Sequence, residues 1–169
     1  MRVHFASGYH PFPPPWLNVD FHDCGDQQVN LLEEFPDNLS GITWAYVGHF
    51  LEHLTVAEGV VFLRRVRASM ATDGALIVVG PDVGKGRAWF EQGRIGDDLL
   101  FAMGRHGDPD GDDRADCHLW DCTGARVVEM LADAGWAHVE EFPLGELPQR
   151  FPEVPVIDLA EWQFAVVAR

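Results

Sequence analysis

The pattern of hydrophobic and polar positions is clearest in the middle of the chain. Residues 42 to 47 form a short apolar run, rich in β-branched and aromatic side chains, that is bounded by Gly41 and Gly48. Such a run predicts a buried central strand rather than a helix. The polar segment His49-Phe50-Leu51-Glu52-His53 follows it directly. We therefore expect a histidine-bearing turn at the carboxyl end of a strand, where open α/β sheets bind their ligands.

A helix is predicted directly after this turn. Thr55-Val56-Ala57-Glu58 fits a capping box, in which the threonine accepts from the N–H three residues on and the glutamate reaches back. Apolar residues then recur at helical spacing at Val56, Val60, Leu63, Val66 and Met70. Asp73-Gly74 is expected to end this helix, and the apolar run from Ala75 to Val79 predicts a fully buried strand.

The flanking sequence predicts further strands and one unusual connection. The strand candidates are Arg2 to Phe5, Trp16 to Phe21, Gln27 to Leu32, Trp136 to Phe142 and Trp162 to Ala168. Between the first two lies Pro11-Phe12-Pro13-Pro14-Pro15, which cannot be helical because proline removes donors and restricts the residue before it. Parallel strands are usually joined through a helix, so we expect an extended proline-rich link to replace the usual first helix.

The remaining segments complete a single α/β domain, predicted to span residues 1–169. Glu33 to Ser40 is a predicted loop. From Val83 to Asp116 the composition shifts to glycine and aspartate, which predicts a loop-rich lid with one short helix at Asp97 to Met103. A last long helix is predicted from Thr123 to Ala134, where Gly135 stops it.

Composition narrows the classes of function. The chain of 169 residues is 47% hydrophobic, with 6 Trp and 11 Phe, which argues against global disorder. Its 27 acidic and 12 basic residues give a net charge of −15, which disfavours nucleic acids and anionic membranes as partners. Three cysteines cannot all pair, and there is no signal peptide or long apolar segment. A reducing cytoplasm is therefore the expected location.

Four segments together resemble one protein family. They are Leu17-Asn18-Val19-Asp20, Phe50-Leu51-Glu52-His53-Leu54, the run from Asp73 to Asp82, and Leu131-Ala132-Asp133-Ala134-Gly135-Trp136. In order and spacing they resemble the small class I S-adenosylmethionine (SAM)-dependent methyltransferases of type 11, over nearly the whole chain. The resemblance implies a Rossmann-like α/β fold. Its sheet would have seven mixed strands, the last antiparallel, with helices on both faces and the first crossover helix shortened or missing.

The resemblance also implies SAM as the cofactor and suggests which residues hold its adenosine. Asp20, at the end of the second strand, would accept both ribose hydroxyls. Phe21 either flanks the adenine or packs in the core. Asn30, followed by Leu31, stands where the family often has an acidic residue against the adenine amine, and an amide carbonyl can accept there.

The first loop departs from the family pattern. A G-x-G turn is the norm, whereas this chain has Ala6-Ser7-Gly8, and an alanine restricts close approach of the backbone to a ligand. SAM has no phosphate, so loss of the helix N-terminus matters less than for a dinucleotide. Its carboxylate still needs N–H donors, for which Gly8, Tyr9 and His10 are the candidates.

Methyl transfer requires an aligned acceptor and, for some acceptors, a base. Gly48 and His49 would line the methyl site at the end of the central strand, and Phe50 is a further candidate for cofactor binding. His49, His53 or His118 would act as the base, the last because the family often returns a histidine to the pocket from this region. The alternative for each histidine is a packing or capping role within its turn.

Two patterns in the sequence resemble parts of known metal sites. The first is a group of four aspartates, Asp108, Asp110, Asp112 and Asp113. It lacks the glycine of a calcium loop, and Leu119 stands in place of the final glutamate. The second, Cys117, His118 and Cys122, lacks a second ligand pair at zinc spacing. No metal site is predicted from either pattern.

The sequence therefore predicts a methyltransferase that acts on a hydroxyl or amine of a small molecule, such as a sugar or secondary metabolite. One alternative is a binding or scaffold protein that kept the fold and lost catalysis, because the first loop departs from the family norm. Another is an enzyme completed by a partner, in a homodimer or larger assembly. Its interface would then contain the apolar lid residues Trp89, Phe90, Leu99 and Phe101.

Overall fold

The computed structural model describes residues 1–23, 25–31, 33–107, 117–155 and 160–169. Within these residues the strands are β1 (Arg2–Phe5), β2 (Trp16–Asp20), β3 (Gln27–Gln28), β4 (Ile42–Gly48), β5 (Met70–Pro81), β6 (Val139–Phe142) and β7 (Gln163–Ala168). The helices are α1 (Val56–Ser69), α2 (Val83–Glu91), α3 (Asp97–Met103), α4 (Gly124–Asp133) and α5 (Leu147–Arg150). Single 3-10 turns occur at Leu51–His53 and Leu144–Glu146.

The strands form one mixed sheet in the order β3-β2-β1-β4-β5-β7-β6. The first five strands pair in parallel, and β7 runs antiparallel to both β5 and β6. This confirms the predicted seven-stranded Rossmann-like sheet with an antiparallel last strand. Phe5 of β1 pairs with both Val19 and Val47, so the carboxyl ends of β1, β2 and β4 lie level. The strand order reverses between β1 and β4, which is where such sheets bind ligands.

Helices cover both faces of the sheet, as predicted. On one face α1 and α4 pack over a core that includes Val3, Phe5, Val19, Ala45, Val47, Leu76, Val78 and Val166. On the other face, Leu147 and Phe151 from α5 and its flanking turn pack against Ile77, Val79 and Val167. None of the helices in the described residues has the length and apolar character needed to cross a bilayer.

The link between β1 and β2 contains no helix, as the prolines predict. Phe12 lies over the sheet where a crossover helix would pack, with its ring 4.9 Å from Tyr46 and 5.0 Å from Trp16 between centroids. The Asn18 amide donates to the Phe12 carbonyl (2.9 Å) and accepts from the Phe12 N–H (2.7 Å). One side chain of β2 thus fixes the link through both main-chain groups of Phe12.

Helix α1 begins as predicted but ends earlier. Thr55 and Glu58 form both halves of the capping box. The prediction that Asp73-Gly74 ends this helix is wrong, because α1 ends at Ser69 and both residues belong to β5. A Cβ on Gly74 would lie 2.5 Å from the Ile42 carbonyl oxygen, at the point where the β4–β5 register shifts. This glycine serves close strand approach.

Other boundaries also differ from prediction. Residues 83–91 form α2 instead of a loop, with Asp82 accepting from the Lys85 N–H (3.0 Å) as its cap. The prediction failed because glycines at 84 and 86 are poor helix formers. The short helix predicted at Asp97–Met103 is confirmed. The third strand ends at Gln28, after which Val29 and Leu31 turn into the core, and β6 begins at Val139. The four aspartates of the lid lie outside the described residues.

We expect Gly74→Ala to lower the free energy of unfolding by about 1–3 kcal/mol, since the added methyl group forces backbone to move in the middle of the β4–β5 pairing. Chemical denaturation measures the change. Gly145→Ala is the control, because no atom lies within 4 Å of its added Cβ, and its effect should stay below about 0.5 kcal/mol. Equal effects of the two substitutions would contradict the close-approach role of Gly74.

Candidate functional site

A cavity of about 320 Å³ opens at the carboxyl ends of β1 and β4. Its lining includes Ser7, Gly8, Gly48, His49 and, from β7, Gln163. The level strand ends bring the first loop and the histidine-bearing turn to the same edge of the sheet. Its volume is at the low end of the roughly 300–1,000 Å³ range of small-molecule sites.

The backbone at both strand ends is in the left-handed region. Ala6 has φ 51° and Gly8 has φ 52° in the first loop, and His49 has φ 52° after β4. A residue with a Cβ pays about 1–2 kcal/mol for this conformation. Ala6 nevertheless adopts it, so the first loop keeps a conformation typical of glycine where a G-x-G turn would have one. Such strained residues concentrate at functional sites, and these two both border the cavity.

Three buried polar atoms in the cavity wall have no hydrogen-bond partner among the described residues. They are Ser7 Oγ, His4 Nδ1 and Gln163 Oε1, on side chains that are 3%, 1% and 1% exposed. An unsatisfied buried polar group costs about 1–3 kcal/mol, so native structures seldom leave one. A polar ligand in the cavity would satisfy these groups.

His49 is held between two side chains. Its Nδ1 lies 3.3 Å from Glu52 Oε1, and its Nε2 lies 2.7 Å from Gln163 Nε2. Because an amide nitrogen donates, His49 Nε2 accepts, which leaves the ring proton on Nδ1 facing the carboxylate. The ring therefore has the tautomer of a histidine oriented by an acidic partner, with the Nε2 lone pair on the cavity side.

Glu52 is a fully buried carboxylate. Burial raises its pKa, but the hydrogen bond and charge of His49 and the charge of His53 outweigh burial and bring the pKa below its ordinary value. It is therefore ionised at neutral pH. Burial raises the pKa of the nearby Cys122 thiol, and the charges of Glu52 and Asp82 raise it further. Cys122 is thus a protonated, unreactive thiol.

A second cluster lies on the other side of this carboxylate. Glu52, His53 and His118 each offer one ligand atom, and these atoms lie within 4.8 Å of one another. His53 Nδ1 is 3.1 Å from the Cys117 carbonyl oxygen, and His118 Nδ1 is 3.3 Å from that of Met103. Burial lowers the pKa of His118, against the opposing effect of Glu52, so its ring is neutral at pH 7.

Asp20 ends β2 beside the first loop, as predicted, but its carboxylate is already engaged. One oxygen accepts from the Gly8 N–H and the other from the His22 N–H, both at 2.8 Å. The side chain is buried and is not among the residues that line the cavity. The His10 N–H donates to the Ser7 carbonyl (3.1 Å). Two of the three N–H groups predicted to hold a cofactor carboxylate thus bond within the loop.

The other predicted residues divide between the surface and the core. Phe21 is 54% exposed and Tyr9 is 78% exposed, and Tyr9 stacks on His22 at the outer end of β2. Asn30 is half-buried, and its main-chain carbonyl accepts from two N–H groups in the following turn. Leu31 is a core residue, and Phe50 packs edge-on against Phe62. Ala6, Ser7, Gly8, Gly48 and His49 are brought together around the cavity.

Sequence analysis missed several residues of this wall. His4 and Tyr46 pair across β1 and β4 and point to the sheet face opposite α1. The alternation of side chains along a strand could have placed them on that face, but a histidine and a tyrosine inside apolar strands do not by themselves indicate a cavity wall. Gln163 begins β7 and pairs with Pro81. Only the antiparallel return of the chain brings it to His49, so no local pattern could have found it.

No family model matches the sequence, and no curated protein matches it. The structure is similar to solved methyltransferases. For a SAM-dependent methyltransferase from Mesorhizobium loti the TM-score is 0.56 at 15% identity, over 99% of this chain and 89% of that chain. For DhpI in complex with SAH the TM-score is 0.60 at 14% identity, over 99% of this chain and 74% of that chain. For human N-acetylserotonin methyltransferase with SAM they are 0.57 and 12%, over 99% and 46%.

The chain thus spans less than half of the length of some of the proteins that it resembles. At these identities the similarity establishes the fold, which is the seven-stranded Rossmann-like fold of methyltransferases.

The buried His4 predicts a pH dependence of stability. Burial lowers its pKa to about 4 from 6.5, so below pH 6.5 the unfolded chain binds a proton that the folded chain does not. The contribution of His4 to the free energy of unfolding is therefore at its maximum above pH 6.5, and it falls by up to about 3 kcal/mol towards pH 4. When the free energy of unfolding is measured by denaturation between pH 7 and 4.5, its slope against pH should be shallower for His4→Phe than for the unaltered chain. The exposed-site control, His138→Gln, should keep the original slope; identical slopes for all three would refute the assignment.

Proposed function

We propose that this protein is a SAM-dependent methyltransferase that acts on a hydroxyl or amine of a small molecule. The observation that carries the proposal is the cavity at the β1 and β4 ends, where unsatisfied buried polar atoms meet a histidine oriented by a buried carboxylate. The similar methyltransferases solved with SAM or SAH support the choice of cofactor.

The residues present fit this cofactor in part. Ser7 Oγ is a free donor on the cavity wall for a carboxylate. Asp20 would accept the ribose hydroxyls, and the exposed Phe21 beside it offers a face for the adenine. The backbone bonds from Gly8 and His22 hold the Asp20 carboxylate in place at the end of β2, beside the first loop.

The chemistry divides between the cofactor and the chain. When bound, SAM would supply an electrophilic methyl carbon for the acceptor oxygen or nitrogen, and its sulfur would keep the electron pair of the S–C bond. His49 Nε2, released from Gln163, takes the acceptor proton, and Glu52 stabilises the imidazolium through Nδ1–H. His53 and His118, the other base candidates, have Nδ1 on main-chain carbonyls and do not line the cavity. His49 is therefore the proposed base.

The donor site is tested by calorimetric titration with SAM and with SAH. We expect Asp20→Asn to weaken binding by about 10–100-fold, because hydrogen bonds to a charged acceptor are worth about 1.5–3 kcal/mol. The amide keeps an oxygen for the Gly8 N–H, so the first loop retains its support. Asp23→Asn, in the exposed turn after β2, is the matched control and should bind as the unaltered chain does. If the folded chain binds neither compound, the proposal fails.

The base is tested by turnover of an acceptor found by screening metabolites for a methyl mass gain. We expect His49→Gln to lower kcat by about 10²–10⁴, the usual contribution of a general base, with SAM affinity changed less than about threefold. The control is His138→Gln, which replaces an exposed histidine just before β6 that does not line the cavity. Unchanged kcat in His49→Gln would remove histidine catalysis from the proposal.

A second candidate is a binding protein that kept the fold without catalysis. The observation that favours it is the internal use of the Gly8 and His10 N–H groups, which leaves the first loop fewer donors than expected for a carboxylate. The titration and the turnover assay together separate the two, since a protein that binds SAH but never turns over acceptors matches this candidate. The alternative of an enzyme completed by a partner at the lid also stays a prediction. Its support is Phe101 on α3, whose apolar side chain is 67% exposed.

A further inference from the structure

We propose that Glu52, His53 and His118 bind a divalent transition-metal ion such as Zn²⁺ beside the cavity. Their ligand atoms already lie within 4.8 Å of one another. A tetrahedral zinc ion with bonds of about 2.0–2.1 Å holds its ligand atoms roughly 3.4 Å apart. Each side chain needs only a small movement to close on an ion.

The two histidine rings are oriented as in metal sites. His53 Nδ1 lies against the Cys117 carbonyl and His118 Nδ1 against the Met103 carbonyl. A ligating histidine usually gives its other ring N–H to such an oxygen, which fixes the tautomer and presents the remaining nitrogen to the metal. Here Nε2 of both rings remains for the ion, and the two ring centroids are 4.9 Å apart.

Glu52 gives an independent reason for a cation. Its side chain is 1% exposed, and the group beside Oε1 is His49 Nδ1, at 3.3 Å. A buried carboxylate is costly unless it is paired or coordinates a metal. A divalent ion between Glu52 and the two imidazoles would supply the missing charge.

The ligand set selects the kind of metal. Calcium and magnesium take oxygen ligands, whereas imidazole suits zinc and its neighbours among the transition metals. Two histidines and one glutamate, with a position left open, are the protein ligands of several catalytic zinc sites. This set is neither of the two patterns that the sequence argued against, although it shares His118 with the second, which was Cys117, His118 and Cys122.

The fold holds the two ligand segments together. The Leu119 N–H donates to the Glu52 carbonyl (2.8 Å), and the Trp120 indole N–H donates to the Leu51 carbonyl (3.0 Å). These bonds fix the segment carrying His118 against the turn carrying Glu52 and His53. Sites held on such supported segments are preorganised for a ligand.

This inference goes beyond the proposed function and does not depend on it, because metal binding is measured without SAM or an acceptor. The full chain, treated with a chelator and dialysed, is titrated with Zn²⁺ by calorimetry and with Co²⁺ by absorption spectroscopy. We expect one ion per chain and a cobalt spectrum without the near-ultraviolet charge-transfer band of thiolate ligands. No binding, or a thiolate band that assigns the ion to the cysteines, would overturn the proposal.

Variants locate the ion. We expect His53→Ala and His118→Ala to weaken Zn²⁺ binding by at least about 100-fold, more than is typical for loss of an outer-shell partner. His138→Ala, which removes an exposed histidine elsewhere, should change the Zn²⁺ affinity less than threefold. Cys117→Ser should also change the Zn²⁺ affinity less than threefold. Unchanged affinity in both folded histidine variants would overturn the proposal. If a histidine variant does not fold, the cobalt spectrum of the unaltered chain decides between histidine and thiolate ligands.

Discussion

The carboxylate of Glu52 is the group on which the functional edge of this protein depends. It is buried at the first turn after β4, where the main chain has just passed through the left-handed conformation of His49. Removing a carboxylate from water is costly, and its surroundings offset that cost with the Nδ1–H of His49 and the nearby His53. The same turn offers its carbonyls to the segment that carries His118. The turn that carries this buried charge therefore also holds the His118 segment, through its main-chain carbonyls.

The missing crossover helix explains why there is a cavity at this edge. Phe12 and the proline-rich link cover only part of the sheet face that a helix would occupy, and Asn18 holds them through the Phe12 main chain. Phe12 packs against His4 and Tyr46, and the cavity that these two side chains line lies beside it. Ala6 keeps the loop conformation in spite of its Cβ. The missing helix thus alters the surroundings of the site more than the path of the loop backbone.

Most of the sheet could be predicted from the sequence, because its strands are short apolar runs with clear polar ends. The central strand and the Thr55 capping box are local signals, and both were predicted correctly. Errors arose where a glycine had a tertiary purpose: Gly74 permits close strand approach, and Gly86 in α2 lies against the Met103 side chain. A single sequence cannot distinguish a glycine that ends an element from one that makes room for a neighbour.

The site was predictable in part for the same reason. Ser7, Gly8 and His49 follow strand ends directly, so the rule that ligands bind at carboxyl ends of strands finds them. The contact between His49 and Gln163 joins residues 114 positions apart and follows only from the antiparallel return of β7. The Glu52, His53 and His118 cluster depends likewise on the bonds that dock residues 117–120 on the turn. Both histidine pairings share Glu52, so an ion on one side of that carboxylate and a proton on His49 on the other would influence each other through a single group.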